Sequence, residues 1–311
     1  MSSSAVSAGA EIPVLCGPTA AGKSAVAMWI AGGHDVTVIS ADSRQVYRGF
    51  DVGTGKPSAA DLQRAPHRGV DVVEPTERYS AAAWASLART AIEEARAAGR
   101  TPLIVGGTGF YISTLFRPLW DEPPLDPDAR AALQRELAPL ETAELRRWVR
   151  QLDPARAHLG RTQLLRAVEI SLLTGHRISD LHRAGVRGAR YTPCYLLVDP
   201  GMTLGSRIAA RAAAMMSAGW VDEVRRLARD VPETAPAWNA TGYRTVRRVA
   251  AGALGAAEAI ERVTVETRQF AKRQRTWFRN QLADNRVQRL APEAPGWEEQ
   301  VERWITRLTS R

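Results

Sequence analysis

Short apolar runs that end near glycine alternate with longer segments of helical spacing along the first third of the chain. Buried strands are predicted at residues 12–17, 36–40 and 69–74, and TPLIVGGTG at 101–109 predicts a strand followed by a glycine turn. Helices are predicted between them, at residues 23–33 and 80–99, and each of them ends at a glycine. This alternation indicates an α/β fold with a parallel sheet, in which ligands bind at the carboxyl ends of the strands.

The pattern changes after Trp120, where a proline-rich joint leads into almost continuous helical spacing at 126–182. This segment predicts an inserted helical lobe. Residues 191–199 return to a strand pattern that completes the sheet. Long helices follow, predicted at 203–230, 242–251 and 256–282.

Composition excludes several classes of protein. A charged fraction of 24% and a hydrophobic fraction of 45% are typical of a folded chain. No run of eighteen apolar residues occurs, so no membrane partner is expected. A cytoplasmic location is expected. Cys16 and Cys194 each lie in an apolar run, which argues against a disulfide framework or a multi-cysteine zinc site.

Positive charge is concentrated late in the chain. Residues 199–290 contribute +7 of the formal charge of +9. This favours a polyanion site, although solvated helix faces would also give a basic excess. Arginine supplies 39 of the 42 cations, and the three lysines are Lys23, Lys56 and Lys272. A compact ammonium suits positions where a guanidinium fork does not fit.

The sequence GPTAAGKS follows the first predicted strand and opens the first predicted helix. Its spacing predicts a phosphate-binding loop in which the backbone amides and Lys23 meet phosphate oxygens, and the Ser24 hydroxyl binds Mg²⁺. The pattern leaves open whether the phosphate belongs to a nucleotide or to another diphosphate. The predicted ligands of the phosphate are Gly17, Pro18, Thr19, Ala20, Ala21, Gly22, Lys23 and Ser24.

With this loop, the elements predict a P-loop NTPase-like parallel sheet flanked by helices and interrupted by an all-helical lobe. The expected organisation is a disordered tail at 1–11, a catalytic core from 12–119 and 191–290, a helical insertion at 120–190, and a C-terminal tail or helix at 291–311.

Two more segments place polar groups at the same sheet edge. Asp42 follows the second strand, where it suits a general base or a Mg²⁺-side carboxylate, or alternatively a helix N-cap. The glycine loop GGTG at 106–109 follows another strand and offers the Thr108 hydroxyl.

Basic side chains recur in the last third. Arg207 and Arg211 lie four apart on one predicted helix, where they would clamp a diphosphate or face solvent. The helix at 266–281 interleaves basic and aromatic residues, a pattern that suits contact with RNA and also suits packing on the sheet.

In combination, these motifs resemble the bacterial tRNA dimethylallyltransferase (isopentenyl transferase) family from about residue 12 to residue 282. The similar segments, in family order, are GPTAAGKS, SADSRQVYRGFDVGTGKP, APHRGVD, YSAAAW, LIVGGTGFY, LLRAVEI, TGYR and TRQFAKRQRTWFR. The resemblance implies transfer of a dimethylallyl group from dimethylallyl diphosphate to the exocyclic amine of the adenosine 3′-adjacent to the anticodon. That base would be flipped out of its stack.

The resemblance also implies residue roles. Asp42 would be the base, Thr108 would line the reaction centre, and Thr19, Lys23, Arg211 and Ser24 with Mg²⁺ would hold the diphosphate. The tRNA anticodon stem-loop would contact Asp42, Ser43, Arg44, Gln45, Thr108, Arg130, Gln163, Arg166, Gly242, Tyr243, Arg244, Lys272, Arg273, Gln274, Arg275, Trp277 and Arg279. A monomer is expected.

The chain departs from the family pattern at three positions. Gln163 replaces a usual arginine, whose phosphate contact would be lost or taken over by Arg161. Gly55 replaces alanine, and Asn239 stands where a basic residue is frequent. Lys56 has no predicted role.

Three other functions would each account for only part of these motifs. A transferase acting on free AMP or ATP would need neither the insertion nor the basic helix. A P-loop kinase of a small metabolite would leave FAKRQRTWFR unused, and a non-enzymatic RNA-binding module would leave Asp42 unused.

Overall fold

The protein is described here from a computed structural model, which covers residues 10–116, 123, 125–184, 190–282 and 284–309. The chain divides into two compact units, with boundaries after Phe116 and before Arg190. The sequence predicted an insertion at 120–190, so the observed first boundary comes slightly earlier in the chain. Residues 1–9, most of the expected tail, lie outside the described part, whereas Ala10 and Glu11 already belong to a strand.

Six parallel strands form the sheet of the first unit, in the order β3-β2-β4-β1-β5-β6. They are β1 (Ala10–Cys16), β2 (Val36–Ser40), β3 (His67–Arg68), β4 (Thr101–Gly106), β5 (Tyr191–Val198) and β6 (Val287–Leu290). The α/β parallel architecture predicted from the sequence is confirmed. In the central strands, Val14 pairs with Ile104 on one side and Tyr195 on the other, so the carboxyl ends of these strands lie at one edge.

Helices of the first unit cover both faces of the sheet. They are α1 (Lys23–Gly33), α2 (Ala59–Arg64), α3 (Ala81–Ala97), α4 (Gly109–Phe116), α9 (Leu204–Ser217), α10 (Trp220–Asp230), α11 (Tyr243–Ala250), α12 (Ala256–Gln281) and α13 (Trp297–Thr309). One core contains Trp84 and Ile92 of α3 with Phe278 of α12. A second contains Ile30 of α1 with Trp304 and Ile305 of α13.

The second unit contains the four helices α5 (Pro127–Leu137), α6 (Thr142–Leu152), α7 (Arg161–Thr174) and α8 (Ile178–Ala184). They enclose a core of their own around Leu145, Val149, Leu164 and Val168. Asp126 caps α5 by accepting a hydrogen bond from the Ala129 amide at 2.7 Å. Part of the expected joint at 121–130 lies outside the described residues.

Two element predictions were wrong, and the end of the chain holds elements that were not predicted. The strand expected at 69–74 is replaced by β3, because Gly69 and Asp71 have φ of +80° and +53°, which extended backbone does not allow. The helix expected at 203–230 breaks into α9 and α10 at Gly219, where φ is +93°. Beyond residue 281, the sequence analysis did not foresee β6 or the burial of α13 against the sheet.

Both cysteines are free and buried. Within the described ranges, no helix is both long enough and apolar enough to cross a membrane.

Candidate active site

Three loops meet at the carboxyl edge of the sheet, one after each of β1, β2 and β4. Close packing brings them together: a Cβ on Gly17 would lie 2.2 Å from the Val198 carbonyl oxygen, and one on Gly106 would lie 2.2 Å from that of Ala41. Only glycine permits these approaches. The glycines of GGTG therefore serve packing between loops.

The glycine-rich loop opens α1 as predicted. Gly22 is the N-cap with φ +100°, and the helix begins at Lys23. The Lys23 Nζ donates to the carbonyl oxygens of Gly17 at 3.0 Å and Pro18 at 2.8 Å, so the ammonium folds back over its own loop. The Thr19 amide donates to Gln274 Oε1 at 2.8 Å.

Two partly buried cations, Lys23 and Arg211, share a cavity with Asp42. Burial and the neighbouring Arg211 lower the pKa of Lys23 to about 8, although Asp42 acts in the opposite direction. Burial also lowers the pKa of Arg211, again against the effect of Asp42. Desolvation alone gives both shifts their sign, because it disfavours the charged form of a cation. Two cations stand beside one carboxylate in this cavity. The site is therefore electrostatically suited to an anionic ligand.

Asp42 does not cap a helix, because the residues after it form turns. Its Oδ1 accepts from the Arg44 amide at 2.8 Å, which closes a local Asx turn. The Ser43 amide donates to Thr108 Oγ1 at 3.0 Å, and the Thr108 amide donates to the Ala41 carbonyl at 3.1 Å. Thr108 thus ties the Asp42 loop to the loop after β4.

Gln45 supports the Asp42 loop from within the protein. Its Oε1 accepts from Ser40 Oγ at 2.9 Å, and its Nε2 donates to the Gly55 carbonyl at 2.9 Å. A Cβ on Gly55 would lie 2.3 Å from the Arg211 guanidinium, so the unusual glycine at this position lets Arg211 approach the loop.

Lys56 acquires a structural role. Its Nζ donates to the Tyr47 carbonyl at 2.6 Å and pairs with Asp51 at 2.6 Å and with Asp71. The ammonium therefore joins three points of the segment that follows Asp42, and only 6% of the side chain is exposed.

Arg207 and Arg211 both line a cavity with Lys23 and Ser24, but their other contacts differ. Arg211 lines the cavity of Lys23 and Asp42. Arg207 donates from Nε to the Ala20 carbonyl at 3.1 Å and pairs with Glu293.

Two cavities adjoin beside Asp42, and both are lined by Thr19, Asp42, Thr54 and Arg211. One contains the phosphate-loop side chains Lys23 and Ser24. The other extends along Trp220, Thr241, Phe270 and neighbouring side chains of α9–α12. Two substrates approaching from different sides would meet at Asp42.

Helix α12 presents only part of its basic pattern to solvent. Lys272, Arg273 and Arg279 are exposed. Arg275 instead forms a two-bonded ion pair with Asp199 at the end of β5, with Nε 2.9 Å from Oδ2. Trp277 is half-buried, and Gly109 leaves room for its ring.

Two predicted tRNA contacts do not fit their positions. Tyr243 is completely buried and donates to Glu223 Oε1 at 2.7 Å. Gln274 is 8% exposed and donates from Nε2 to the Gly107 carbonyl at 2.9 Å, in addition to its bond with Thr19. Because their polar atoms already have partners inside the protein, both residues support the loops from behind.

The TGYR segment is held by carboxylates that the sequence analysis did not single out. Glu266 accepts from the Gly242 amide at 3.1 Å, and Arg244, which is exposed, donates to Asn239 Oδ1 at 2.6 Å. Glu223 accepts from the amides of Asp51 and Val52 as well as from Tyr243. Nothing in the local spacing marks either glutamate, because their partners are distant in sequence.

In the second unit, the two arginines predicted to contact tRNA converge on a buried carboxylate. Arg130 Nε lies 3.3 Å from Glu169 Oε2, and Arg166 Nη1 lies 2.7 Å from the same atom. Gln163 Oε1 accepts weakly from the Gly160 amide at 3.4 Å. Arg161 donates to the carbonyls of Leu140 and Ala138, so it is engaged within the helical unit rather than free to replace the missing arginine.

Comparisons with known proteins agree with this geometry. A model of the IPP transferase family matches residues 45–281, and a model of isopentenyl transferases matches residues 10–68. A tRNA dimethylallyltransferase of Halorhodospira halophila is 41% identical over 293 residues, which cover 89% of this chain and 94% of the relative. Another, from Deinococcus radiodurans, is 39% identical over 284 residues, covering 87% of this chain and 90% of the relative.

The fold is likewise shared with a solved structure. The crystal structure of a tRNA isopentenylpyrophosphate transferase from Staphylococcus epidermidis superposes with a TM-score of 0.68 at 28% identity, covering 97% of this chain and 99% of the other. With the family model spanning most of its length and relatives near 40% identity, the chain belongs to the IPP transferase family.

Proposed function

We propose that the protein transfers a dimethylallyl group from dimethylallyl diphosphate to N6 of the adenosine 3′-adjacent to the anticodon of tRNA. The products are N6-isopentenyladenosine and diphosphate. The observation that carries the proposal is the position of two partly buried cations, Lys23 and Arg211, in one cavity with Asp42, where a second cavity adjoins. Two cations would stabilise a departing diphosphate, and one carboxylate would accept a proton.

In this reaction the bond from C1 of the dimethylallyl group to the diphosphate oxygen breaks, and a bond from C1 to N6 of adenosine forms. The diphosphate leaves with the bonding electrons and with its charge opposed by Lys23 and Arg211. Asp42 accepts the proton that N6 loses. The Thr108 hydroxyl and the Arg44 amide hold the Asp42 loop at the edge of the sheet.

The residues present fit a Mg²⁺ ion bound together with the diphosphate. Ser24 is exposed at the start of α1, and its side chain lines the same cavity as Asp42. Within the described ranges, no group of three or more metal-ligating side chains occurs, so the diphosphate and water would supply the other oxygens. Mg²⁺ would neutralise charge on the leaving group.

Exposed basic groups supply surfaces for the tRNA. In the first unit these are Lys272, Arg273 and Arg279 on α12, and Arg244, which closely follows Thr241, a residue that lines the cavity along Trp220 and Phe270. In the second unit, Arg130 and Arg166 are oriented by Glu169. Each surface suits phosphate contacts, and we propose that the protein acts on tRNA as a monomer.

The test is incubation of the protein with labelled dimethylallyl diphosphate, Mg²⁺ and an unmodified tRNA anticodon stem-loop. We expect label in the RNA and isopentenyladenosine after digestion to nucleosides. A matched stem-loop with purine riboside at the target position lacks the exocyclic amine and should receive no label. Transfer to AMP but not to RNA would contradict the proposal, and omission of Mg²⁺ should abolish turnover.

A further inference from the structure

Arg207 of α9 forms a hydrogen bond with the backbone of the glycine-rich loop. Its Nε donates to the Ala20 carbonyl at 3.1 Å, and its guanidinium lies over Gly22, 2.9 Å from the position of a Cβ there. Glu293 pairs with the same guanidinium. The arginine side chain is 27% exposed, so the interaction is only partly screened by solvent.

Ala20 is the residue that needs such support. Its φ is +62°, a left-handed conformation that is unfavourable for any residue with a Cβ. Among the described non-glycine residues, only Asp71 shares this property. The Ala20 side chain packs against the cluster of Leu204 and Ile208 of α9 and Ala271 of α12, and its carbonyl accepts from Arg207.

The position of Ala20 decides where the loop amides point. It lies between Thr19, whose amide is held by Gln274, and Gly22, which starts α1. If Ala20 relaxed to negative φ, the peptide planes on both sides would rotate and the loop would lose its present backbone conformation. A loop that is already ordered binds its ligand at a lower conformational cost.

We propose that Arg207, held by Glu293, is a positioning residue that keeps Ala20 in its left-handed conformation and thereby keeps the loop ready for the diphosphate. The inference rests on the proposed function, because it takes a diphosphate as the ligand. Arg211 faces the reaction cavity, whereas Arg207 acts through the backbone. Glu293 lies beyond residue 281, where the family match ends, so a segment outside that match supports the site.

The first experiment measures steady-state kinetics of Arg207→Ala. We expect KM for dimethylallyl diphosphate to rise about tenfold, with kcat within about threefold and KM for tRNA unchanged. Arg207→Lys retains a donor for the Ala20 carbonyl and should give an intermediate KM. Arg225→Ala, which removes an exposed pair with Asp222, is the matched control and should behave as wild type. An unchanged KM in Arg207→Ala would overturn the inference.

A second experiment separates positioning from direct contact with the diphosphate. Glycine favours positive φ, so Ala20→Gly should restore most of the lost affinity when it is combined with Arg207→Ala. If the double variant binds no better than Arg207→Ala, Arg207 acts on the ligand itself and the inference is wrong. Glu293→Gln should raise KM about threefold; a lower KM would show that Glu293 competes with the ligand for Arg207, which also contradicts the inference.

Failure of the proposed function would be visible separately, as an absence of transfer by the wild-type protein. In that case, calorimetric titration with inorganic diphosphate still compares wild type with Arg207→Ala and with the double variant. Weaker binding in Arg207→Ala and recovery in the double variant would support the positioning role. Equal affinities in all three proteins would refute it.

Discussion

Asp42 is held by its own neighbours at the place where the two cavities adjoin. Its carboxylate accepts from the Arg44 amide, and Thr108 fixes the adjacent Ser43. One carboxylate oxygen is thus used for the turn, and the other is available for a proton. Replacing the carboxylate with an amide should preserve the turn and remove the base.

We therefore expect Asp42→Asn to lower the single-turnover rate by about 10² or more, with diphosphate affinity largely retained. Rapid-quench kinetics measure the rate, and calorimetry measures the affinity. Asp222→Asn changes an exposed carboxylate on α10 and serves as the control. A near-normal rate in Asp42→Asn would exclude its role as the base.

Gln274 shows how one buried amide joins two loops. It accepts from the Thr19 amide and donates to the Gly107 carbonyl, at 2.8 Å and 2.9 Å. Glutamate would keep an acceptor for Thr19 and lose the donor, whereas leucine would lose both. Leaving buried backbone groups unpaired costs about 1–3 kcal/mol each.

Accordingly, Gln274→Leu should destabilise the protein more than Gln274→Glu at neutral pH and should raise KM for the diphosphate substrate by about tenfold or more. Urea unfolding and steady-state kinetics provide the two measurements. Gln288→Leu, at an exposed position of β6, is the control for loss of an amide. Weakened tRNA binding with an unchanged KM for the diphosphate substrate would instead support the direct contact between Gln274 and tRNA that the sequence suggested.

At the scale of elements, α12 combines packing with an exposed basic surface. The sequence pattern at 266–281 left both interpretations open, and the structure divides the basic residues between them. Arg275 is paired with Asp199, whereas Lys272, Arg273 and Arg279 face solvent. The division follows from which side of the helix meets the sheet.

This division predicts a difference in salt dependence. Alanine at Lys272, Arg273 or Arg279 should weaken tRNA binding and reduce the slope of log K against log salt concentration by about 1 for each residue that contacts a phosphate. Arg275→Ala should leave the slope unchanged and lower thermal stability, because Asp199 loses its partner. Binding isotherms at several salt concentrations test both expectations. Equal slopes in all four variants would argue against RNA contact by this face.

Across the whole molecule, the last segment of the chain completes the sheet and its core. Strand β6 extends the sheet beside β5, and α13 buries Val301, Trp304 and Ile305 against the face that also contains α1. Trp304 is 1% exposed. The segment is an integral part of the first unit.

Trp304→Ala should therefore destabilise the protein by about 3–5 kcal/mol, since it leaves a large cavity in a packed core. Arg303→Ala, on the exposed side of the same helix, should change the free energy of unfolding by no more than about 0.5 kcal/mol. Urea denaturation followed by tryptophan fluorescence measures both. A small effect of Trp304→Ala would mean that α13 contributes little to the core.

The sequence predicted the elements whose signals are local. The spacing of GPTAAGKS with its flanking strand and helix located the phosphate loop, and α1 has the predicted limits. Local signals failed where a single backbone angle decided the outcome, as at Gly219 and Asp71. The edge strand β6 was missed because its pattern, with two exposed residues of four, is weak.

By itself, the sequence determined that three polar loops would reach one edge of a parallel sheet, because strand direction and side-chain periodicity are short-range properties. Only the tertiary structure decided which charged groups remain available there. Gln274 and Thr19 are 255 residues apart, and Arg207 and Ala20 are 187 apart. Pairs so distant leave no mark in local spacing. Their hydrogen bonds exist because burial removes water as a partner, and each polar group then takes the one that the fold provides.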